Sequence, residues 1–408
     1  MTPENLLPFS QALRQVLDHT ALLPRVEEVP LAEALGRFLA EDVKARENIP
    51  VADNSAMDGY ALRAEDGGEP LRVREVLGAE QVAAAPLEPG EAVKIMTGAP
   101  IPPGADAVVM VEHTTVEQGR VRVLKPVKAG ANIRRAGEDI RQGETVFLPG
   151  ERLTPARVGM LASLGIPRVK VRGRPRVGVL PTGNELVGAG EPLKPGRVRD
   201  SNSHTLAGLI LQAGAEPVVF PVVSDTPEDL KQRMSAALAS TDLLLTSGGV
   251  SMGDFDFVEP MARELGLTIH FHKLNIKPGK PVVFATGGGR TLFGLPGNPV
   301  SVMVGFLQFV RPALWKMAGS PQLGPRVMTL PLAQAFQKND GKRHFLRGVV
   351  SLGPQGLSVR LTGEQGSGML HSMGRANALV VVEEDRNQVA PGEMVRVELL
   401  DGEAWGEP

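Results

Sequence analysis

The spacing of apolar residues changes character along the chain and divides it into regions of different texture. Near the start, Leu13, Val16 and Leu17 recur at helical spacing behind Ser10, which predicts a capped helix with one buried face. Leu31, Ala34 and Leu35 repeat that spacing and predict a second helical piece over 30–39. From Leu71 to Phe147 the pattern becomes short apolar runs divided by Gly and Pro, at 71–77, 92–96, 107–111, 121–124 and 145–148. Alternation of this kind without helices predicts a small β-domain. Thr154-Pro155 then opens a helix that runs to Leu164 and closes at Gly165.

Beyond Arg174, strands and helices alternate. A strand at 177–180 precedes a helix at 203–213 capped by Ser201 or Asn202, and a second strand follows at 218–223. Thr226-Pro-Glu-Asp229 combines a cap, a proline at the first helical position and acids in the first turn, so another helix starts there. Repeated strand–helix units predict a mostly parallel sheet whose ligand loops lie at the carboxyl ends of its strands. The loops at Thr182, Asp225, Ser247 and Gly294 should therefore gather on one edge. After about Gly319 the helical spacing disappears, and runs at 327–332, 345–352, 357–361, 378–382 and 394–399 predict a compact β-barrel or sandwich.

Composition narrows the possible functions. A chain of 408 residues exceeds one ordinary core, so several domains are expected. A net charge of −2 gives no global field for nucleic acid, and one Tyr with two Trp leaves no stacking platform for single strands. Zero cysteines exclude disulfides, thiolate metal sites and cysteine nucleophiles, and fit a reducing, cytoplasmic compartment. No apolar run has the length of a membrane span, and the first twenty residues lack the apolar stretch of a signal peptide.

The chemistry concentrates between Thr241 and Ser301. Three glycine-rich loops fall there: Thr246-Ser-Gly-Gly-Val-Ser-Met-Gly-Asp254, Ile276-Lys-Pro-Gly-Lys-Pro281 and Gly294-Leu-Pro-Gly-Asn-Pro299. Two follow strand-like runs, the third leads into one, and the last opens a helical segment over 300–317. Such junctions bare backbone amides where a phosphate or other oxyanion can sit. Lys277 and Lys280 flank Pro278-Gly279; as solvated turn residues they do nothing, but beside two further glycine loops they suit an anion. Of Asp254 and Asp256, one can cap the following helix while the other is free to hold Mg²⁺ against a phosphate, and Asp225 at a strand end is a further carboxylate or a turn former. Asp58 and Thr97 lie far away in the β-rich region, where spacing cannot tell a turn from a site. The histidines show no ligand spacing, no serine has a triad context, and no Walker or dinucleotide fingerprint occurs.

Taken together, these stretches resemble the molybdopterin molybdenumtransferases of the MoeA type, which include the C-terminal domain of gephyrin. The resemblance rests on Asp53-Asn-Ser-Ala-Met-Asp-Gly-Tyr-Ala61, Ile95-Met-Thr-Gly-Ala-Pro100, Gly137-Glu-Asp-Ile140 and Thr182-Gly-Asn-Glu-Leu186. It rests equally on Ser247-Gly-Gly-Val-Ser-Met-Gly-Asp254, Lys277-Pro-Gly-Lys-Pro281 and Gly294-Leu-Pro-Gly-Asn-Pro-Val-Ser301, with looser matches at Lys342-Arg-His-Phe-Leu-Arg-Gly348 and Gln365-Gly-Ser367.

The resemblance implies a multidomain α/β plus β architecture: a discontinuous helical linker and dimerisation domain over 1–50 and 141–173, a β-rich domain over 51–140, an α/β molybdopterin-binding domain over 174–320 and a C-terminal β-barrel over 321–408. It implies an enzyme that inserts molybdenum from molybdate into adenylyl-molybdopterin and releases AMP with Mg²⁺. It also implies a homodimer whose α/β domain meets the β-rich domain of the other subunit, with transient contact to the adenylylating enzyme and to recipient molybdoenzymes. Asp58, Thr97, Asp139, Glu185, Asp225 and Asp256 would be catalytic, with Asp225 and Asp256 at the metal. Ser251, Lys277, Lys280, Pro296, Pro299, Arg343 and Ser367 would bind molybdate or the cofactor, with Arg347 competing with Arg343 and Ser372 with Ser367. Adenylylation of molybdopterin and a non-enzymatic dimeric scaffold are the alternatives.

Overall fold

Two compact units make up the chain, and the computed structural model describes residues 6–224, 226–250 and 257–400. One unit comprises Met1–Glu27, Gly36–Ala40 and Val171–Pro408; the other comprises Glu28–Leu35 and Glu41–Lys170.

At the centre of the larger unit lies a six-stranded sheet in the order Glu216–Val219, Arg176–Pro181, Leu243–Ser247, Arg290–Leu295, Val283–Gly287, Thr268–Phe271. The first four strands are parallel; Val283–Gly287 runs against them, and Thr268–Phe271, antiparallel to it, runs with them. Register places Ser247 opposite both Pro181 and Leu295, so three neighbouring parallel strands end level with one another. Alternation along each strand feeds two cores. Val177, Val179, Leu243, Leu245, Phe293 and Leu295 join Leu206 and Ile210 of the helix Asn202–Gln212, and Ala12 and Val16 of the helix Phe9–His19. Leu180, Leu244, Val283 and Leu292 meet Leu230 and Met234 of Pro227–Ser240 and Met261 of Val258–Glu264 on the opposite face. Cover on both faces is why Leu243-Leu-Leu245 is an unbroken apolar run and not an alternating one.

The long segment after the third glycine loop is helical as expected, as Pro299–Gly305, a π-helical Phe306–Val310 and Arg311–Met317. Beyond it a second six-stranded sheet runs Ile276–Lys277, Arg343–Gly353, Ala378–Val382, Met394–Leu399, Val327–Pro331, with Gly356–Leu361 also paired to Arg343–Gly353. Leu332 bridges Val359, so the two outer strands of this curled sheet touch. Phe345, Leu379 and Val381 of this sheet enter the same core as Val177 and Leu245.

The smaller unit carries a third six-stranded sheet, in the order Ala107–Met110, Gly59–Leu62, Glu91–Ile95, Leu71–Leu77, Arg120–Val123, Thr114–Glu117. Its helix Pro155–Ser163 is capped as expected, by Thr154 Oγ1 accepting from the Arg157 amide at 3.4 Å.

Local starts and stops differ from the sequence reading in places. The first helix begins at Phe9 with Pro8 at its cap, so Ser10 lies inside the first turn. The second helical piece is a single turn, Leu31–Ala34, because Leu35 is extended and Gly36 turns the chain with φ 77°. Neither Ser201 nor Asn202 caps the helix Asn202–Gln212; the Asp200 carboxylate does, accepting from the Ser203 amide at 3.0 Å. Among the described residues, no helix is long and apolar enough to cross a membrane.

Candidate functional site

Because three strands end level, their loops open on one side of the sheet. Gly248 and Gly249 follow Ser247 with φ 103° and 67°, a region that L side chains rarely adopt. A Cβ on Gly248 would lie 2.8 Å from both the Thr182 carbonyl and its hydroxyl, so this turn needs glycine for space as well as for φ. The Thr182 amide donates to the Ser247 carbonyl at 3.1 Å, tying the first loop to the second. Asn202 ties the second to the third: its Nδ2 donates to Ser247 Oγ at 2.8 Å and to the Gly297 carbonyl at 2.9 Å. The Lys277 loop is drawn tight by the Lys280 carbonyl, which accepts from the Leu274 and Val282 amides.

These loops line a cleft of about 950 Å³. Glu185, Lys277, Lys280, Pro296, Pro299 and Ser367 all line it, so the structure brings together six of the expected site residues. Asn298 Nδ2 donates to Ser367 Oγ at 3.0 Å, and the Val300 amide donates to the Ser367 carbonyl at 3.1 Å, which holds Ser367 at the start of the helix. Arg199 and Lys342 also line the cleft. Neither was found in the sequence, since each lies outside the glycine loops and arrives through tertiary folding. Among the described lining residues, four cations (Arg199, Lys277, Lys280, Lys342) face two carboxylates, Glu185 and Asp200. An excess of positive charge among glycine turns favours an anionic ligand.

The paired candidates separate clearly. Arg343 is absent from the cleft lining; it stacks 4.7 Å over the Phe9 ring and pairs with Glu384 at 3.1 Å. Alternation on the strand Arg343–Gly353 turns it away from the side taken by Lys342. Arg347 is fully buried, and burial lowers its guanidinium to about 10. It donates to Ser372 Oγ at 3.0 Å and to the Gly366 carbonyl at 2.9 Å, so it fixes the loop that carries Ser367. Its Nη1 has no hydrogen-bond partner among the described residues, and the residue borders a smaller cavity of about 240 Å³ shared with Lys277. Ser372 is buried and spent on Arg347 and the Met369 carbonyl.

Asp58, Thr97 and Asp139 lie in the smaller unit. Asp58 Oδ1 accepts from both the amide and the hydroxyl of Thr97 at 2.7 Å, which holds its carboxyl below the usual range. Both side chains are exposed. Asp139 is exposed in the return loop 132–140, whose Arg135 pairs with Asp53 at 2.5 Å. Asp225, Ser251 and Asp256 lie outside the described residues.

A glycine-turned α/β sheet bearing a basic cleft, in a chain that also carries two β-rich sheets, defines a multidomain protein built to hold a phosphate-bearing or oxyanionic ligand. Comparison with known families narrows that class. The MoeA N-terminal region (domain I and II) matches residues 7–165, a probable molybdopterin binding domain matches 178–316, and the MoeA C-terminal region (domain IV) matches 329–400. A molybdopterin molybdenumtransferase of Haemophilus influenzae is 37% identical over 96% of this chain and 98% of its own length. One from Bacillus subtilis is 34% identical over 98% of this chain and 96% of its own. The crystal structure of a molybdopterin biosynthesis moeA protein from Pyrococcus horikoshii OT3 superposes with a TM-score of 0.85 at 34% identity, covering 97% of this chain and all of that one. The chain belongs to the MoeA family.

Proposed function

We propose that this protein is a molybdopterin molybdenumtransferase of molybdenum cofactor biosynthesis, inserting molybdenum from molybdate into adenylyl-molybdopterin with Mg²⁺-dependent release of AMP. The observation that carries the reading is the cleft itself: glycine turns from three strand ends and four cationic side chains around one space. Molybdate is a dianion and the adenylylated substrate carries several phosphate charges, so fixed lysines and backbone amides suit both.

Each residue then has a physical task. Lys277 and Lys280 bind the oxyanion, and Ser367 adds a hydroxyl to the lining of the same cleft. Neither arginine lines the cleft, but Arg347 borders the smaller cavity together with Lys277, which favours it over Arg343 as a further oxyanion contact. Pro296 and Pro299 stiffen the loop that opens the helix, which lowers the entropy lost on binding. The molybdopterin dithiolene supplies sulfur to the metal it receives, so a chain without cysteine can carry out the transfer. Positioning and charge neutralisation supply the catalysis, and no covalent protein intermediate is required.

The donors in the described cleft are hard oxygens, from Glu185, Asp200 and main-chain carbonyls, without histidine or sulfur. That set fits Mg²⁺, and Asp225 and Asp256 are the carboxylates proposed to hold it. Bound there, it would neutralise phosphate charge on the nucleotide. We place the enzyme in the cytoplasm as a homodimer, with Asp58 and Thr97 reaching the cleft from the partner subunit.

The deciding experiment incubates the purified protein with adenylyl-molybdopterin, molybdate and Mg²⁺ and follows AMP. AMP release that requires molybdate and Mg²⁺, and falls to background in Asp256→Ala with the fold intact, is the expected result. Consumption of ATP with molybdopterin would instead mark an adenylyltransferase, and no turnover of either kind would mark a scaffold.

A further inference from the structure

The smaller cavity beside the cleft holds a charge arrangement that the proposed reaction leaves unused. Both carboxylate oxygens of Asp340 lie against His344 Nε2, at 2.9 and 3.1 Å. On its other side, Asp340 Oδ2 lies 3.3 Å from Lys277 Nζ. Lys277 borders the main cleft and the smaller cavity together, whereas Asp340 and His344 line only the smaller one. The backbone fixes this grouping, because Lys277 stands opposite His344 in the short parallel ladder between Ile276–Lys277 and Arg343–Gly353. His344 is only 5% exposed, so its ring cannot swing away. The Lys277 side chain is 58% exposed and can. Two further cations line the cavity among the described residues: Lys338 donates to the carbonyls of Lys342, Glu383 and Glu384, and Arg347 to Ser372 Oγ and the Gly366 carbonyl, so both are held in place.

We propose that Asp340, braced by His344, is a positioning residue that holds the Lys277 ammonium in reserve, so that an oxyanion arriving at the site competes with Asp340 for it. This rests on the reading of Lys277 as an oxyanion contact. Asp340 thereby weakens the empty site for anions in general and stops Lys277 from wandering through solvent. A ligand gains the full charge of Lys277 only when it binds more strongly than one partly exposed carboxylate.

The test titrates molybdate calorimetrically into the full chain as wild type, Asp340→Asn, Lys277→Ala and the double variant. Asn keeps the shape of Asp and still accepts from the His344 N–H, so the fold should survive; Asp340→Ser is the second variant if the melting temperature falls. Removing a partly exposed competitor should tighten molybdate binding about two- to fivefold. Lys277→Ala should weaken it about tenfold or more, and the double variant should match Lys277→Ala alone. In the AMP assay, Asp340→Asn should lower KM for molybdate and leave kcat in place, which a purely structural role would not do. Unchanged or weaker binding by Asp340→Asn, or tightening that persists without Lys277, overturns the proposal. Wild-type affinity in Lys277→Ala overturns the assignment of Lys277 itself, a separable failure.

Discussion

Single residues show where chemistry and space leave no alternative. Gly59 begins the strand Gly59–Leu62, and a Cβ added there would lie 2.0 Å from the Val109 carbonyl oxygen. Gly59→Ala must push two paired strands apart, and we expect it to lower stability by about 1–3 kcal/mol, read from the urea midpoint. The Asp-Gly pair thus has two separate causes, close packing at Gly59 and the Thr97 hydrogen bonds at Asp58. The sequence left turn and site both open for Asp58 and gave no packing reason for Gly59, since neither Val109 nor Thr97 is near the pair in sequence. Asp340 gives a pH prediction. Burial pushes its carboxyl up, but the His344 hydrogen bond and charge, with the Lys342 amide and Lys277, outweigh this and hold it at about 2. A carboxyl lowered on folding stabilises the protein fully above its ordinary value near 4, and that contribution is lost as pH falls from about 4 to 2. Asp340→Asn should therefore flatten the acid limb of the stability curve over that window, measured by thermal unfolding at stepped pH.

At the scale of elements, the sequence reading was most successful where periodicity was long. The five C-terminal strands appear at Val327–Pro331, Arg343–Gly353, Gly356–Leu361, Ala378–Val382 and Met394–Leu399, close to the apolar runs that announced them. It failed at caps and ends, where one side chain decides. Asp200 caps the helix Asn202–Gln212, and this releases Asn202 to join two loops through Ser247 and Gly297. Asn202→Ala removes both donations, so we expect a loss of about 1–2 kcal/mol in the urea midpoint together with weaker molybdate binding. Arg347 is the parallel case on the C-terminal sheet. The family motif made it a rival to Arg343 for the ligand, and its burial and hydrogen bonds show that it braces the loop bearing Ser367. No sequence signal separates those uses, because the carbonyls that receive it belong to an irregular loop at 364–366.

For the molecule as a whole, the proposed homodimer makes a prediction that no single subunit can fulfil. Asp58→Ala and Asp256→Ala should each abolish AMP release alone. Mixed subunits of the two variants, refolded or co-expressed together, should regain activity, because one site in each heterodimer would carry both intact residues. Activity that stays at background in the mixed sample, with heterodimers demonstrated by mass, would remove the assignment of Asp58 to the neighbouring cleft.

Composition, apolar period and glycine spacing determined the kinds of element present, the parallel α/β region and the glycine turns at its strand ends, because each of these follows from interactions between near neighbours in the chain. The family was legible for the same reason, since its motifs are short and local. Tertiary structure alone decided which charges meet. The level ends of Arg176–Pro181, Leu243–Ser247 and Arg290–Leu295 bring the loops together, Arg199 and Lys342 arrive from outside them, and Arg343 is drawn off to Phe9 and Glu384. Electrostatic contacts depend on distance in space, and sequence separation sets no limit on it.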